Sequence, residues 1–132
     1  MKKWEKYIGM PYVHRGRGKE VCDCFGLVLL YYEEILGKKL KDWWYEEGWA
    51  TRGHNYFLDN VEGYNFKRVD EPKKHDLVLL RMDITSSIPN HIAIIVKPPN
   101  FALCALKEGV VVLDFNRNVY KRRIEGYYRC QN

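Results

Sequence analysis

The feature that most constrains this 132-residue chain is the run Glu20-Val21-Cys22-Asp23-Cys24-Phe25-Gly26-Leu27-Val28-Leu29-Leu30-Tyr31-Tyr32. Two cysteines around an acid lead without a break into an apolar segment with helical spacing. Phe25, Val28, Leu29, Tyr32 and Leu36 form one stripe, and Leu27, Leu30, Tyr31 and Ile35 fill most of the remaining circumference. A helix that is apolar nearly all round has to be buried. The rest of the chain must therefore supply a layer that covers residues 23–36. Asp23 stands where an N-cap belongs, Gly37 supplies the stop, and Lys38 and Lys39 follow at the negative end of the dipole.

The second half reads as that layer. Asp76–Met82 and His91–Val96 are apolar strands, separated by a loop over 85–90 and followed by the turn Lys97-Pro98-Pro99-Asn100. Phe101–Leu106 and Val110–Phe115 are two more, joined by Lys107-Glu108-Gly109. Val119–Lys121 and Tyr127–Arg129 are expected as short closing strands. Short turns between strands argue for antiparallel pairing. The expected fold class is α+β, with the buried helix of the N-terminal half packed on a C-terminal antiparallel sheet.

Before the main helix, residues 2–8 suggest a short helix in which Trp4 and Ile8, four apart, share a face. Gly9 and Pro11 end it. Residues 42–53 form an aromatic segment without clear period, and residues 54–63 suggest a second short helix ended by Gly63.

The composition, 46% hydrophobic and 30% charged, suits one domain over 1–132 with a real core. The net charge of +5 favours acidic partners. It is scattered, however, and no basic tail argues for nucleic acid. The loop His14–Glu20 is basic and glycine-rich and suits an anion, yet it lacks both phosphate-binding fingerprints. No apolar run approaches a membrane span. Met1–Lys6 leads into no apolar signal segment, so the chain is expected to be made in a cytoplasm and carried to any outside site of action.

The four cysteines, Cys22, Cys24, Cys104 and Cys130, do not form a secreted disulfide framework. Cys22 and Cys24 are too close for an unstrained bridge and wrongly spaced for zinc, so neither metal nor cofactor is expected. Cys24 lies in the first turn of the helix, where the positive dipole end lowers a thiol pKa. It reads as a nucleophile, or else as one more small buried residue. A nucleophilic thiol needs a base. His14 and His54 lie in polar loops, and His75 just precedes a strand. His91 opens a strand directly after a loop, which is a rigid mount for a general base. By alternation His91 shares a strand face with Ala93 and Ile95.

Taken together, Gly9-Xaa-Pro11-Tyr12, Cys22-Asp23-Cys24-Xaa-Gly26-Leu27-Val28, His75-Asp76-Leu77-Val78 and His91-Ile92-Ala93-Ile94 resemble the NlpC/P60 cysteine peptidases. The branch found in bacteriophage tails and gene-transfer particles is closer still, through the Cys-Asp-Cys-Xaa-Gly-Leu core and Arg122-Arg123-Ile124-Xaa-Gly126. The resemblance implies a papain-like NlpC/P60 fold and hydrolysis of peptide bonds in peptidoglycan stem peptides. It implies Cys24 as nucleophile, His91 as base, Tyr12 as support for the oxyanion or the thiol, and Asp23 as a contact for a substrate amine. Asp23 is equally an N-cap. In the phage branch the implied partners are tail-tip or hub proteins, and the virion carries the enzyme to the envelope.

Two positions depart from the family pattern. A third polar residue usually follows the base by about a dozen positions, and here the count lands on Leu103, beside Cys104. A carbonyl, a water, Asn100 or Asn116 would have to orient His91 instead. Phe25 also stands where a small serine is common. The alternative expectation is a tail structural subunit that keeps the fold with impaired catalysis.

Overall fold

The structure is a computed structural model, and the description covers residues 3–42, 45, 57, 59, 65–82 and 88–131. The apolar run forms helix α1, Cys24–Leu36. Asp23 is its N-cap, in extended conformation, with the side chain accepting from Gly26 N–H at 2.8 Å. Gly37 ends it at φ 66°, a left-handed conformation that a Cβ would strain. Six strands follow: β1 Phe66–Val69, β2 Leu77–Leu80, β3 His91–Lys97, β4 Phe101–Leu106, β5 Gly109–Asp114 and β6 Ile124–Cys130. They make one sheet in the order β1-β6-β2-β3-β4-β5, and every neighbouring pair is antiparallel.

The strand period of two splits the core. On one face Leu77, Leu79, Ile92, Ile94, Val96, Leu103 and Ala105 pack with the α1 residues Leu27, Val28, Tyr31 and Tyr32. On the other, Val78, Leu80, Ala93, Ile95, Ala102, Cys104, Leu113 and Phe115 form a smaller cluster. Helix α1 lies chiefly against β3 and β4. That position brings its N-terminus to the strand His91 opens.

Three local expectations change. The first helix is a 3-10 helix, Lys3–Tyr7. With three residues per turn, Trp4 shares its buried face with Tyr7, while Ile8 is 50% exposed. Val119–Lys121 is not a strand but lies in a one-turn helix α2, Asn118–Lys121. Arg123 Nε binds the Val119 carbonyl at 2.8 Å, and Tyr120 packs on the second cluster, so local bonds and burial override the β preference of Val119 and Tyr120. Strand β1, which the sequence did not suggest, is short and mostly exposed, and pairs with a β6 longer than expected. The aromatic segment 42–53, apart from Asp42 and Tyr45, and the helix expected over 54–63, apart from Phe57 and Asp59, lie outside the described residues.

Candidate active site

Cys24 is the first residue of α1 and is buried. The segment before it is strapped in place. Cys22 N–H binds the Pro11 carbonyl at 3.1 Å, Val13 N–H binds the Cys22 carbonyl at 3.0 Å, and Tyr12 bridges to Cys22 in parallel. Gly26 is required by close approach: a Cβ there would run into the Gly16 carbonyl oxygen. The Cys-Xaa-Gly spacing therefore lets the 16–18 loop pack against the first turn of the helix.

Asp23 anchors this corner. Its side chain is 1% exposed. Oδ1 accepts from Gly26 N–H at 2.8 Å and Arg17 Nη1 at 2.9 Å, and Oδ2 accepts from Arg15 N–H at 2.9 Å and from the Tyr45 hydroxyl. Four donors fill the lone-pair positions of a carboxylate. Arg17 is equally committed. Nη1 also binds the Gly16 carbonyl at 2.9 Å, Nη2 binds Asp42 and Tyr45, each at 2.9 Å, and Nε binds Asp42 at 2.9 Å. The anion cradled by the glycine-rich basic loop is thus the chain's own Asp23. The sequence singled out Asp23 but not Arg17 and Tyr45, which bind it from 6 and 22 positions away, or Asp42, which holds Arg17, in a web around the helix N-cap. The two arginines of that loop were the available signal.

The Cys24 thiol reaches the start of β3, the strand that His91 opens. The N–H groups of Ile92 and Phe25 face the Cys24 sulfur, and Ile92 is the residue after His91. Burial nevertheless pushes the Cys24 thiol well above its ordinary value, and the Asp23 and Cys104 groups push it the same way. The two N–H groups and the helix end oppose this without reversing it. His91 is pulled down to about 4, first by burial and then by Lys107, with Asp23 opposing. Both shifts favour the neutral thiol and the neutral imidazole. No hydrogen bond joins them among the described residues. Tyr12 stands in the same corner. Burial, then the Cys24 and Asp23 charges, raise its phenol, which stays a neutral donor.

His91 Nδ1 is buried without a hydrogen-bond partner among the described residues. Leu103 lies opposite Ile94 in the β3–β4 register, and its side chain belongs to the core beneath α1. Cys104 Sγ turns to the Ile92 carbonyl at 3.9 Å. Asn100 and Asn116 bind each other at 3.0 Å beside the turn that ends β3, so neither orients the imidazole at its start. Among the described residues no group of three or more His, Cys, Asp or Glu side chains is arranged to hold a metal, and no helix is long and apolar enough to cross a membrane.

Similar proteins share this architecture. A Staphylococcus aureus NLP/P60-family protein described as similar to a lipoprotein superposes with a TM-score of 0.67 at 21% identity, covering 98% of this chain and 39% of that one. A Bacillus cereus NlpC/P60 family protein gives a TM-score of 0.68 at 20% identity, over 98% of this chain and 38% of that one. The NlpC/p60 domain of the peptidoglycan hydrolase SagA gives 0.64 at 19% identity, over 96% of this chain and 92% of that domain. The chain thus spans about two fifths of the two longer structures. No curated protein sequence matches it. The family model for NlpC/P60 matches residues 9–129, nearly the whole chain, and the chain belongs to the NlpC/P60 family.

Proposed function

We propose that this chain is a cysteine peptidase that hydrolyses peptide bonds in peptidoglycan stem peptides, with Cys24 as nucleophile and His91 as base. The observation that carries the reading is the thiol at the N-terminus of α1, faced by the N–H of Ile92 next to His91. The family and the SagA domain, named as part of a peptidoglycan hydrolase, support the substrate class.

In this mechanism the Cys24 proton passes to His91 as the sulfur attacks the scissile carbonyl and the S–C bond forms. The Cys24 N–H, at the positive end of α1, and the Tyr12 hydroxyl stabilise the oxyanion. The imidazolium then gives its proton to the leaving amine as the C–N bond breaks. A water, deprotonated by His91, attacks the thioester and releases the carboxylate and the free thiol. Asp23, held by its four donors, keeps the first turn and the nucleophile in place.

The sequence features shared with the phage-tail branch support a further reading: a tail-borne endopeptidase that acts at the bacterial envelope beside tail-tip or hub proteins. The orphaned Nδ1 of His91 favours a second reading, a tail structural subunit with impaired catalysis, because an unoriented base costs orders of magnitude in rate. Purified protein incubated with muropeptides, with products read by mass spectrometry, separates the two. Cleavage that Cys24→Ala abolishes supports the peptidase. No turnover by the folded wild type leaves only the structural subunit, for which copurification with tail proteins is the expected result.

A further inference from the structure

A cleft of about 210 Å³ opens at the far end of α1 from Cys24. Twelve residues of α-helical rise separate Cys24 from Leu36, about 18 Å. Lys38, Lys73, Lys74, His75 and Arg129 line this cleft together with one carboxylate among the described residues, Asp76. Asp76 is already satisfied: Arg129 binds it through Nε at 2.9 Å and Nη2 at 2.7 Å, and Lys73 N–H binds it at 2.7 Å. Lys73 and Lys74 are exposed and make no ion pair among the described residues.

His75 is fixed at the centre of this cluster. It sits at φ 79°, a left-handed conformation that is uncommon for a residue with a side chain. Three bonds hold it there: its N–H to the Ile95 carbonyl at 2.8 Å, its carbonyl to the Tyr32 hydroxyl, and Nδ1 to the Tyr31 hydroxyl at 2.7 Å. When the Tyr31 hydroxyl donates to Nδ1, Nε2 carries the proton. A rigid N–H is then held among lysine ammonium groups.

From this we propose that the cleft binds a phosphate group, as a phosphomonoester or phosphodiester. The Arg129 fork, which suits a planar carboxylate, is spent on Asp76. What remains are the point-charge ammonium groups of Lys73 and Lys74 and one ring N–H, lining one cleft, and such donors suit a tetrahedral anion. The site stands apart from the candidate active site and does not rest on the peptidase reading.

Histidine-labelled full-length protein, followed by NMR, tests it. Around the His75 ring lie Lys38, the hydroxyls of Tyr31 and Tyr32, Lys73, Lys74, Asp76, Arg129 and Cys130. Burial and the Lys74 and Lys38 cations hold the ring below its ordinary pKa, while Asp76 opposes them. A bound phosphate favours the imidazolium, so the pKa is expected to rise by roughly one unit, saturably, with inorganic phosphate or glycerol phosphate. His75→Asn, which tolerates the backbone conformation, identifies the resonance. Lys73→Glu combined with Lys74→Glu, both on the surface, is expected to weaken the response about tenfold or more. Phosphatidylglycerol vesicles acting where glycerol phosphate does not would assign the site to a lipid headgroup; the reverse assigns it to a soluble or polymeric phosphoester. No response to any of these probes, an equal response to acetate at matched ionic strength, or an undiminished response in the double lysine variant overturns the proposal.

Discussion

Arg17 Nη1 donates to Asp23 Oδ1 across 2.9 Å, directly beneath the turn that carries Cys24. The carboxylate is buried, while the guanidinium is about one quarter exposed. Removing the cation leaves a buried charge with fewer partners, which is strongly destabilising. Arg17→Ala is expected to lose about 3 kcal/mol in urea unfolding, and Arg17→Lys most of that, because an ammonium cannot span Asp23, Asp42 and Tyr45 at once. A loss below about 0.5 kcal/mol, the level of a surface pair, would show that the web is not held in solution.

Gly26 faces the Gly16 carbonyl so closely that no Cβ fits between them. Both partners are backbone, so neither can rotate away. Gly26→Ala should therefore destabilise the protein by roughly 2–4 kcal/mol despite the better helix propensity of alanine. Gly18→Ala makes the contrast. A Cβ there meets nothing within 4 Å, and its cost is limited to the strain of φ 95°. Thermal melts of the two variants check the order.

His91 gives a pH dependence whose sign follows from its depressed pKa. An unfolded chain binds the proton near pH 6.5, while the folded chain does so only near 4. The folded state therefore binds fewer protons between those values, and stability falls as pH drops through that window, by up to about 3 kcal/mol. His91→Gln should flatten the part of the curve between roughly pH 6.5 and 5, above the range of most carboxylates. Equal slopes in wild type and variant would place the imidazole in water.

Cys24 should behave as a high-pKa thiol in the resting protein. Alkylation by iodoacetamide, mapped by peptide mass spectrometry, is expected to be slow at neutral pH and to rise about tenfold per pH unit through pH 9. A plateau between pH 5 and 8 would instead reveal a thiolate–imidazolium pair. In the proposed mechanism, hydrolysis of muropeptides should climb over the same alkaline range.

Much of the architecture is legible because it is local. The all-round apolar stretch can only be a buried helix, its cap and stop are written at Asp23 and Gly37, and β3, β4 and β5 are apolar runs joined by short turns. Strand β1 is not legible, since Phe66–Val69 has one buried residue and pairs across the chain with β6. Helix α2 misleads for the opposite reason, its Val and Tyr being drawn into a turn by Arg123 and by burial of Tyr120.

The sequence by itself determined the family, the helix that bears Cys24 and the strand that opens with His91, because motif spacing and periodicity are properties of neighbours in the chain. Only the tertiary structure decided the electrostatics. It put Arg17, Asp42 and Tyr45 around Asp23, buried both the thiol and the imidazole, and left Nδ1 without a partner among the described residues while Leu103 filled the core. Charge and desolvation depend on distances between residues far apart in the chain, and those distances exist only once α1 lies on the sheet.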